Sequence, residues 1–125
     1  MKIPILKLRN VLLTSIQVDL TDEQAVAFQS DILRTLNTTD ARGLVIDITA
    51  MEVVDSFLAR VLNDTARMAR ALGAEVVLCG MQPEVAVALV EMGREMKGVH
   101  TALNLDQAYD KLQQLMGDSQ GRTED

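Results

Sequence analysis

Few residues in this chain could carry chemistry. Cys79 and His100 are the sole cysteine and histidine, so neither a disulfide within the chain nor a cysteine-based metal site can form. Cys79 lies in the apolar run VVLCG, where a thiol is expected to be buried and inert because nothing nearby would stabilise a thiolate. His100 has no acid–base partner within its own segment. There is no Walker or Rossmann glycine loop, no HExxH and no G-x-S-x-G nucleophile elbow. Two positions survive this filter. Asp47 is an acid inside the otherwise apolar run GLVIDIT, and Ser56 follows Asp55 in VVDSFLARVL, where a β-rich run turns into a helical repeat.

A buried carboxylate needs a partner for its charge. Asp47 can meet that need near the end of its strand, through water or loop amides. It could also be the phosphoacceptor of a receiver-like switch, but that reading calls for an acidic pair after the first strand and a lysine at a late strand end, and neither is visible. Ser56 carries two readings of its own. As a helix N-cap its oxygen would accept from an otherwise orphan amide. As a modification site it would place a phosphoryl group at the free amides and positive dipole end of a helix, adding about -1.5 to -2 charges beside Asp55. Phe57 falls off the apolar stripe of that helix, which suits either a contact with the preceding loop or a partner contact. No residue set implies a cofactor or a metal. A small α/β enzyme using Asp47 or Cys79 is the remaining catalytic reading, and Thr38 and Thr49 stay open as further modification sites.

The elements that position these residues follow from periodicity. IPILKL (3–8) and VLLTSIQV (11–18) are β-rich runs joined by Arg9-Asn10, a tight-hairpin signature, with Pro4 suited to an edge strand. Leu12, Ile16 and Val18 share one face. Thr21 with Gln24 forms a capping box for a first helix, with Asp22 and Glu23 at its positive end and Ala25, Phe28, Ile32 and Leu36 as its stripe. GLVIDIT (43–49) and AEVVLCG (74–80) read as buried parallel strands. Between them a helix begins around Ser56 with Leu58, Val61, Leu62, Thr65, Ala69 and Leu72 inward, leaving Arg60 to water. Pro83 opens a third helix with Val85, Ala88, Leu89 and Met92 on its face and Gly93 as its stop. A short strand is expected around 99–102. Asn104 then caps a last helix with Leu105, Ala108, Leu112 and Leu115 inward. The polar segment 117–125 is expected to be disordered. The alternation implies one α/β domain over 1–116, with a mixed, mainly parallel sheet of four to five strands, an antiparallel N-terminal edge strand and about four helices.

The bulk properties narrow the function. At 125 residues the chain is about one domain long. A formal charge of -6 argues against nucleic acid and anionic membranes, both of which need a cationic surface. Aromatic residues are 2% of the chain, so aliphatic side chains must fill the core. No apolar run reaches the ~20 residues that span a bilayer, and the opening MKIPILKLRN is too short an apolar stretch for a signal peptide. The expected location is cytoplasmic.

GLVIDITAMEVVDSFLARVL (43–62) resembles the core of STAS domains, the sulfate transporter and anti-sigma factor antagonist fold. In that family a strand ending in an aspartate leads to an Asp-Ser pair at a helix start, and Asp47 and Asp55-Ser56 occupy those places. KIPILKLRNVLLTSIQVDL (2–20), the DSF at 55–57 and VVLCGMQPEVAVALVEMG (76–93) are similar to the small STAS scaffold of the bacterial stressosome, and the resemblance covers nearly the whole chain short of the polar tail. It implies a non-enzymatic regulator with Ser56 as phosphoacceptor, Asp55 as its motif partner, and Asp55, Phe57 and Arg60 as partner contacts. The implied partners are RsbR-type STAS proteins, a serine/threonine switch kinase of the RsbT type, a cognate phosphatase, and a second copy of the chain within a large hetero-assembly. The implied helices pack largely on one side of the sheet. Simple antagonists usually carry Asp-Ser-Ser-Gly, whereas Phe57 and Leu58 replace the Ser-Gly here. A direct antagonist that binds an anti-sigma kinase is therefore the second reading.

Overall fold

The computed structural model describes residues 3–17, 19–91 and 98–124. Among them the chain forms β1 (Ile5–Leu8), β2 (Val11–Ser15), α1 (Asp22–Thr38), β3 (Gly43–Asp47), α2 (Ser56–Ala71), β4 (Glu75–Cys79), α3 (Pro83–Glu91), β5 (His100–Ala102) and α4 (Leu105–Glu124). The strands lie in the order β1-β2-β3-β4-β5. β1 is antiparallel to β2 and the other pairs are parallel, as the alternation of elements predicts. The hairpin turns at Arg9 and Asn10 with Leu8 opposite Val11. Arg9 there takes φ 56, the left-handed backbone that tight hairpin turns require. Pro4 precedes β1, where its missing amide costs no ladder bond, and its carbonyl accepts from Thr14 Oγ1 at 2.9 Å.

Because successive strand side chains point to opposite faces, the sheet has two cores. Leu12, Leu44, Ile46, Val76 and Leu78 pack with Phe28, Ile32, Leu62, Ala66 and Leu89 from α1, α2 and α3. Val11, Val45, Val77 and Cys79 pack with Ala108, Leu112 and Met116 of α4. Both faces of β3 are thus covered, and it is buried throughout, which is why its sequence is apolar without alternation. α4 reaches β3, β4 and β5 and leaves the outer part of its face open: Leu6 is 65% and Leu8 47% exposed. Leu105, expected to point inward, is 42% exposed at the rim of this opening, where it helps line an apolar concavity with Pro4, Leu6 and Leu13.

α1 carries the full capping box at Thr21 and Gln24 and buries Ala25, Phe28, Ile32 and Leu36. α2 buries Val61, Leu62, Thr65 and Ala69 as its spacing predicts, and Ala59 and Ala66 as well. Leu72 is instead 53% exposed. It is the C-cap, where the chain leaves the helical path before Gly73 at φ 95, so the stripe ends one turn earlier. Asn104 caps α4 by accepting from the Gln107 amide at 2.9 Å. The backbone of α4 continues to Glu124, past residue 117 where composition predicts disorder. Extending a helix fixes one residue per new bond, which is far easier than nucleating one. The expectations for Val18, Met92 and Gly93 lie outside the described residues.

Candidate functional site

The chain leaves β3 at Asp47, crosses a loop and enters α2 at Ser56. Ile48, Met51 and Val54 are buried and fasten this loop to the core, while Val53 is 74% exposed just before the Asp-Ser pair. The helix entrance differs from one of the two readings of Ser56. Asp55 is the N-cap, with extended backbone at φ -92 and ψ 174. Its Oδ1 accepts from the Leu58 amide at 2.8 Å, and its carbonyl accepts from the Ala59 amide at 3.0 Å. Ser56 is the first helical residue and not the cap. Both residues are good N-caps, but a carboxylate also complements the positive end of the helix dipole. The Ser56 side chain is exposed, and among the described residues its hydroxyl enters no hydrogen bond.

The first turn of α2 is suited to an anion. Its leading amides have no acceptor inside the helix. Leu58 is served by Asp55, which leaves the amides of Ser56 and Phe57 available beside the exposed hydroxyl. Arg60 is exposed and lies four residues on, so it shares a helix face with Ser56. Phe57 is half-buried. Asp55, Ser56, Phe57 and Arg60 thus all lie within the first two turns at the entrance of α2. A phosphoryl group on Ser56 would meet free amides, the dipole and a guanidinium, with the Asp55 carboxylate as the opposing charge.

Asp47 does not join them. It is 9% exposed, and its Oδ1 accepts from the Thr49 amide at 2.9 Å and the Thr49 hydroxyl at 2.6 Å. Its Oδ2 faces the Ser15 hydroxyl at 3.5 Å, and Gln17 donates in turn to Ser15. Asp47 is thus a hydrogen-bonded acid at the strand end, the plainer of its two readings. Its charge and, more strongly, burial push the Cys79 thiol from the usual 9.0 up to about 12, which keeps that sulfur protonated and unreactive.

Sequence reasoning missed Gly80 and Gln82 as members of this region and did not join Thr49, open as a modification site, to Asp47. Gln82 Nε2 donates to the Thr49 carbonyl at 2.8 Å. Gly80, at φ 76, lies so close that a Cβ there would overlap Thr49 Oγ1 and come within 3.0 Å of Asp47 Oδ1. The one local signal is a glycine directly after a buried strand, a mark of close backbone approach. Among the described residues no three His, Cys, Asp or Glu side chains gather as a metal site, and no helix is long and apolar enough to cross a membrane.

The sequence matches the STAS domain family over residues 2–108. The structure is similar to that of RsbS from Moorella thermoacetica in a serine-to-glutamate variant, with a TM-score of 0.84 and 41% identity over 93% of this chain and 98% of the other. It is also similar to a chain in the molecular architecture of the stressosome, a signal integration and transduction hub, with a TM-score of 0.80 and 43% identity over 90% of this chain and 98% of that one. Among curated relatives, the RsbT co-antagonist protein RsbRA of Bacillus subtilis (strain 168) is 28% identical over 93 residues, which make up 66% of this chain. The chain spans only about a third of that relative's length, 34%. The five-stranded mixed sheet, the Asp-Ser pair at the mouth of α2 and these similarities agree: the chain belongs to the STAS domain family, and nearly its full length is similar to RsbS.

Proposed function

We propose that the chain is a non-enzymatic, cytoplasmic scaffold of a bacterial stressosome. In this reading it holds a serine/threonine switch kinase of the RsbT type and frees it once Ser56 is phosphorylated. The observation that carries the reading is the uncommitted, exposed hydroxyl of Ser56 at a helix entrance that Asp55 already caps. The Ser56 oxygen would take the γ-phosphoryl group of ATP, give up its proton and leave ADP. The domain itself loses no bond in the exchange. The new charge, about -1.5 to -2, arises beside Asp55 and between the apolar side chains of Val53 and Phe57. A kinase docked over that surface would have to desolvate the phosphate and tolerate two adjacent anions, so it leaves. A cognate phosphatase would reset the serine.

The other partners are RsbR-type STAS proteins and further copies of the chain. The open face formed by Leu6, Leu8 and Leu13 offers apolar surface of the kind that assembly covers, and the similarity to a stressosome chain supports another STAS domain as its occupant. Incubation with an RsbT-type kinase and ATP, followed by peptide mapping, tests the site. Phosphate is expected on Ser56 and none in Ser56→Ala. Ser56→Glu should lose kinase capture while keeping its melting temperature. Normal capture by Ser56→Glu would overturn the reading. In gel filtration, addition of an RsbR-type partner should convert a small oligomer into a very large particle.

A further inference from the structure

Past Ile48, whose amide donates to the Cys79 carbonyl at 2.9 Å, the loop that delivers Ser56 owes its polar anchorage among the described residues to Thr49. Thr49 gives its amide and hydroxyl to Asp47 Oδ1 at 2.9 and 2.6 Å, and its carbonyl takes the Gln82 side chain at 2.8 Å. Between Ala50 and Val54, the hydrogen bond found among the described residues is that of the Met51 amide to the Ile48 carbonyl at 3.0 Å, which lies within the loop itself. Met51 and Val54 are buried, but apolar burial is non-directional. It holds the loop down without fixing the path of its backbone. Direction has to come from Thr49.

Both grips on Thr49 are themselves anchored. Asp47 is fixed in the sheet opposite Ser15 and Cys79. Gln82 starts α3, its carbonyl accepting from the amides of Val85 and Ala86 at 3.0 Å each. Gly80 leaves the space that the Thr49 hydroxyl fills. The same residue is therefore held through its amide and hydroxyl from β3 and through its carbonyl from the start of α3.

Resting on the reading of Ser56 as phosphoacceptor, we infer that Thr49, clamped between Asp47 and Gln82, is the positioning residue that presents Ser56 to the kinase. A hydroxyl that attacks a phosphoryl group must be held close to its in-line geometry, and displacement by about 1 Å can cost about a hundredfold in rate. The clamp restrains the loop before a kinase arrives. Loosening it lowers the fraction of chains whose loop is competent, and apparent affinity falls by that fraction. The kinetic signature is a raised KM at unchanged kcat.

The test compares the full-length chain with Thr49→Val, Thr49→Ser and Gln82→Ala. The readouts are amide hydrogen exchange at Thr49 and Met51, the hydrogen-bonded amides of this stretch, and steady-state phosphorylation by an RsbT-type kinase. Thr49→Val removes one hydrogen-bond donor at nearly constant shape, so exchange at these amides should rise about fivefold and KM should rise by the factor by which the competent fraction falls. Gln82→Ala should act in the same direction. Thr49→Ser keeps the hydroxyl and should restore both quantities to within about twofold of the wild type. A wild-type KM in Thr49→Val, with or without a lower melting temperature, overturns the inference. So does a Thr49→Ser variant as impaired as Thr49→Val. Absence of phosphate on Ser56 in the wild-type arm overturns the phosphoacceptor reading and takes this inference with it, whereas failure of the clamp alone appears only in the variants.

Discussion

Asp55 and Ser56 are neighbours of similar capping ability, yet replacing them by alanine should have unequal consequences for stability. Asp55→Ala removes the carboxylate that accepts from the Leu58 amide at 2.8 Å and the negative charge that faces the positive end of α2. Loss of an aspartate N-cap typically costs about 0.5–2 kcal/mol, and the charge–dipole part of that is about 0.3–1 kcal/mol at low salt. A value of about 1–1.5 kcal/mol follows for an exposed cap with one short hydrogen bond. For a domain of this size that corresponds to roughly 3–6 °C in melting temperature. Ser56→Ala removes a hydroxyl that makes no hydrogen bond among the described residues, and it adds a strong helix former at the first helical position. Its effect should stay within about 0.5 kcal/mol.

Urea and thermal unfolding followed by circular dichroism would measure both variants, at one protein concentration because self-association shifts apparent stability. Part of the Asp55→Ala deficit should shrink when salt is raised, since charge–dipole attraction is screened. The reasoning is refuted if Ser56→Ala costs as much as Asp55→Ala, or if the order reverses. The hydroxyl would then be the cap, and a phosphate on it would replace the helix's own acceptor.

The remaining predictions test other parts of the structure. Gly80→Ala puts a Cβ against the Thr49 hydroxyl on a backbone at φ 76, so urea denaturation should show a loss of about 1–3 kcal/mol; a neutral result would mean that Thr49 can step aside freely. Cys79 has its thiol raised to about 12, by burial first and by the charge of Asp47 second. Native protein at pH 8 should therefore resist iodoacetamide until it unfolds. The raised folded value means the unfolded chain loses this proton first, so the linked stability is complete below pH 9.0 and declines as pH climbs toward about 12. Leu6→Lys and Leu8→Lys change side chains that are already 65% and 47% exposed. They should leave the circular dichroism spectrum unchanged but prevent incorporation into large particles on gel filtration, and normal incorporation would place the assembly face elsewhere.

What could be read from the sequence follows physical lines. α1 was legible because its capping box and its Phe28–Ile32–Leu36 spacing are both local signals. β3 and β4 were legible because strands covered on both faces become continuous apolar runs. In α2 the periodicity fixes the phase of the helix but not its first residue, so the cap expected at Ser56 falls one residue earlier, on Asp55. Ala59 and Ala66 passed unnoticed because alanine adds little to an apolar stripe, although both are buried. Leu72 and Leu105 continue their stripes in sequence, but each sits at a helix end where the chain has run past its neighbours. The contact of Gln82 with Thr49 joins segments far apart in the chain and has no local pattern at all.

The placement of the cap also bears on how a switch at Ser56 could work. Were the serine the N-cap, a phosphate on it would replace the helix's own acceptor, and the state of the switch would be written into the stability of α2. With Asp55 in that role, the unphosphorylated and phosphorylated chains can share one fold, and the orphan amides of the first turn can receive the anion without giving up an existing bond. The energetic consequence of phosphorylation then falls mainly outside the domain, on whatever partner covers Val53, Phe57 and Arg60. Such an arrangement suits a subunit built into a large assembly. A switch that softened α2 would loosen the packing of Ala59, Leu62 and Ala66 against the sheet core, and would disturb neighbouring subunits at each signal. A switch confined to the helix entrance changes which partner can dock while the particle stays intact.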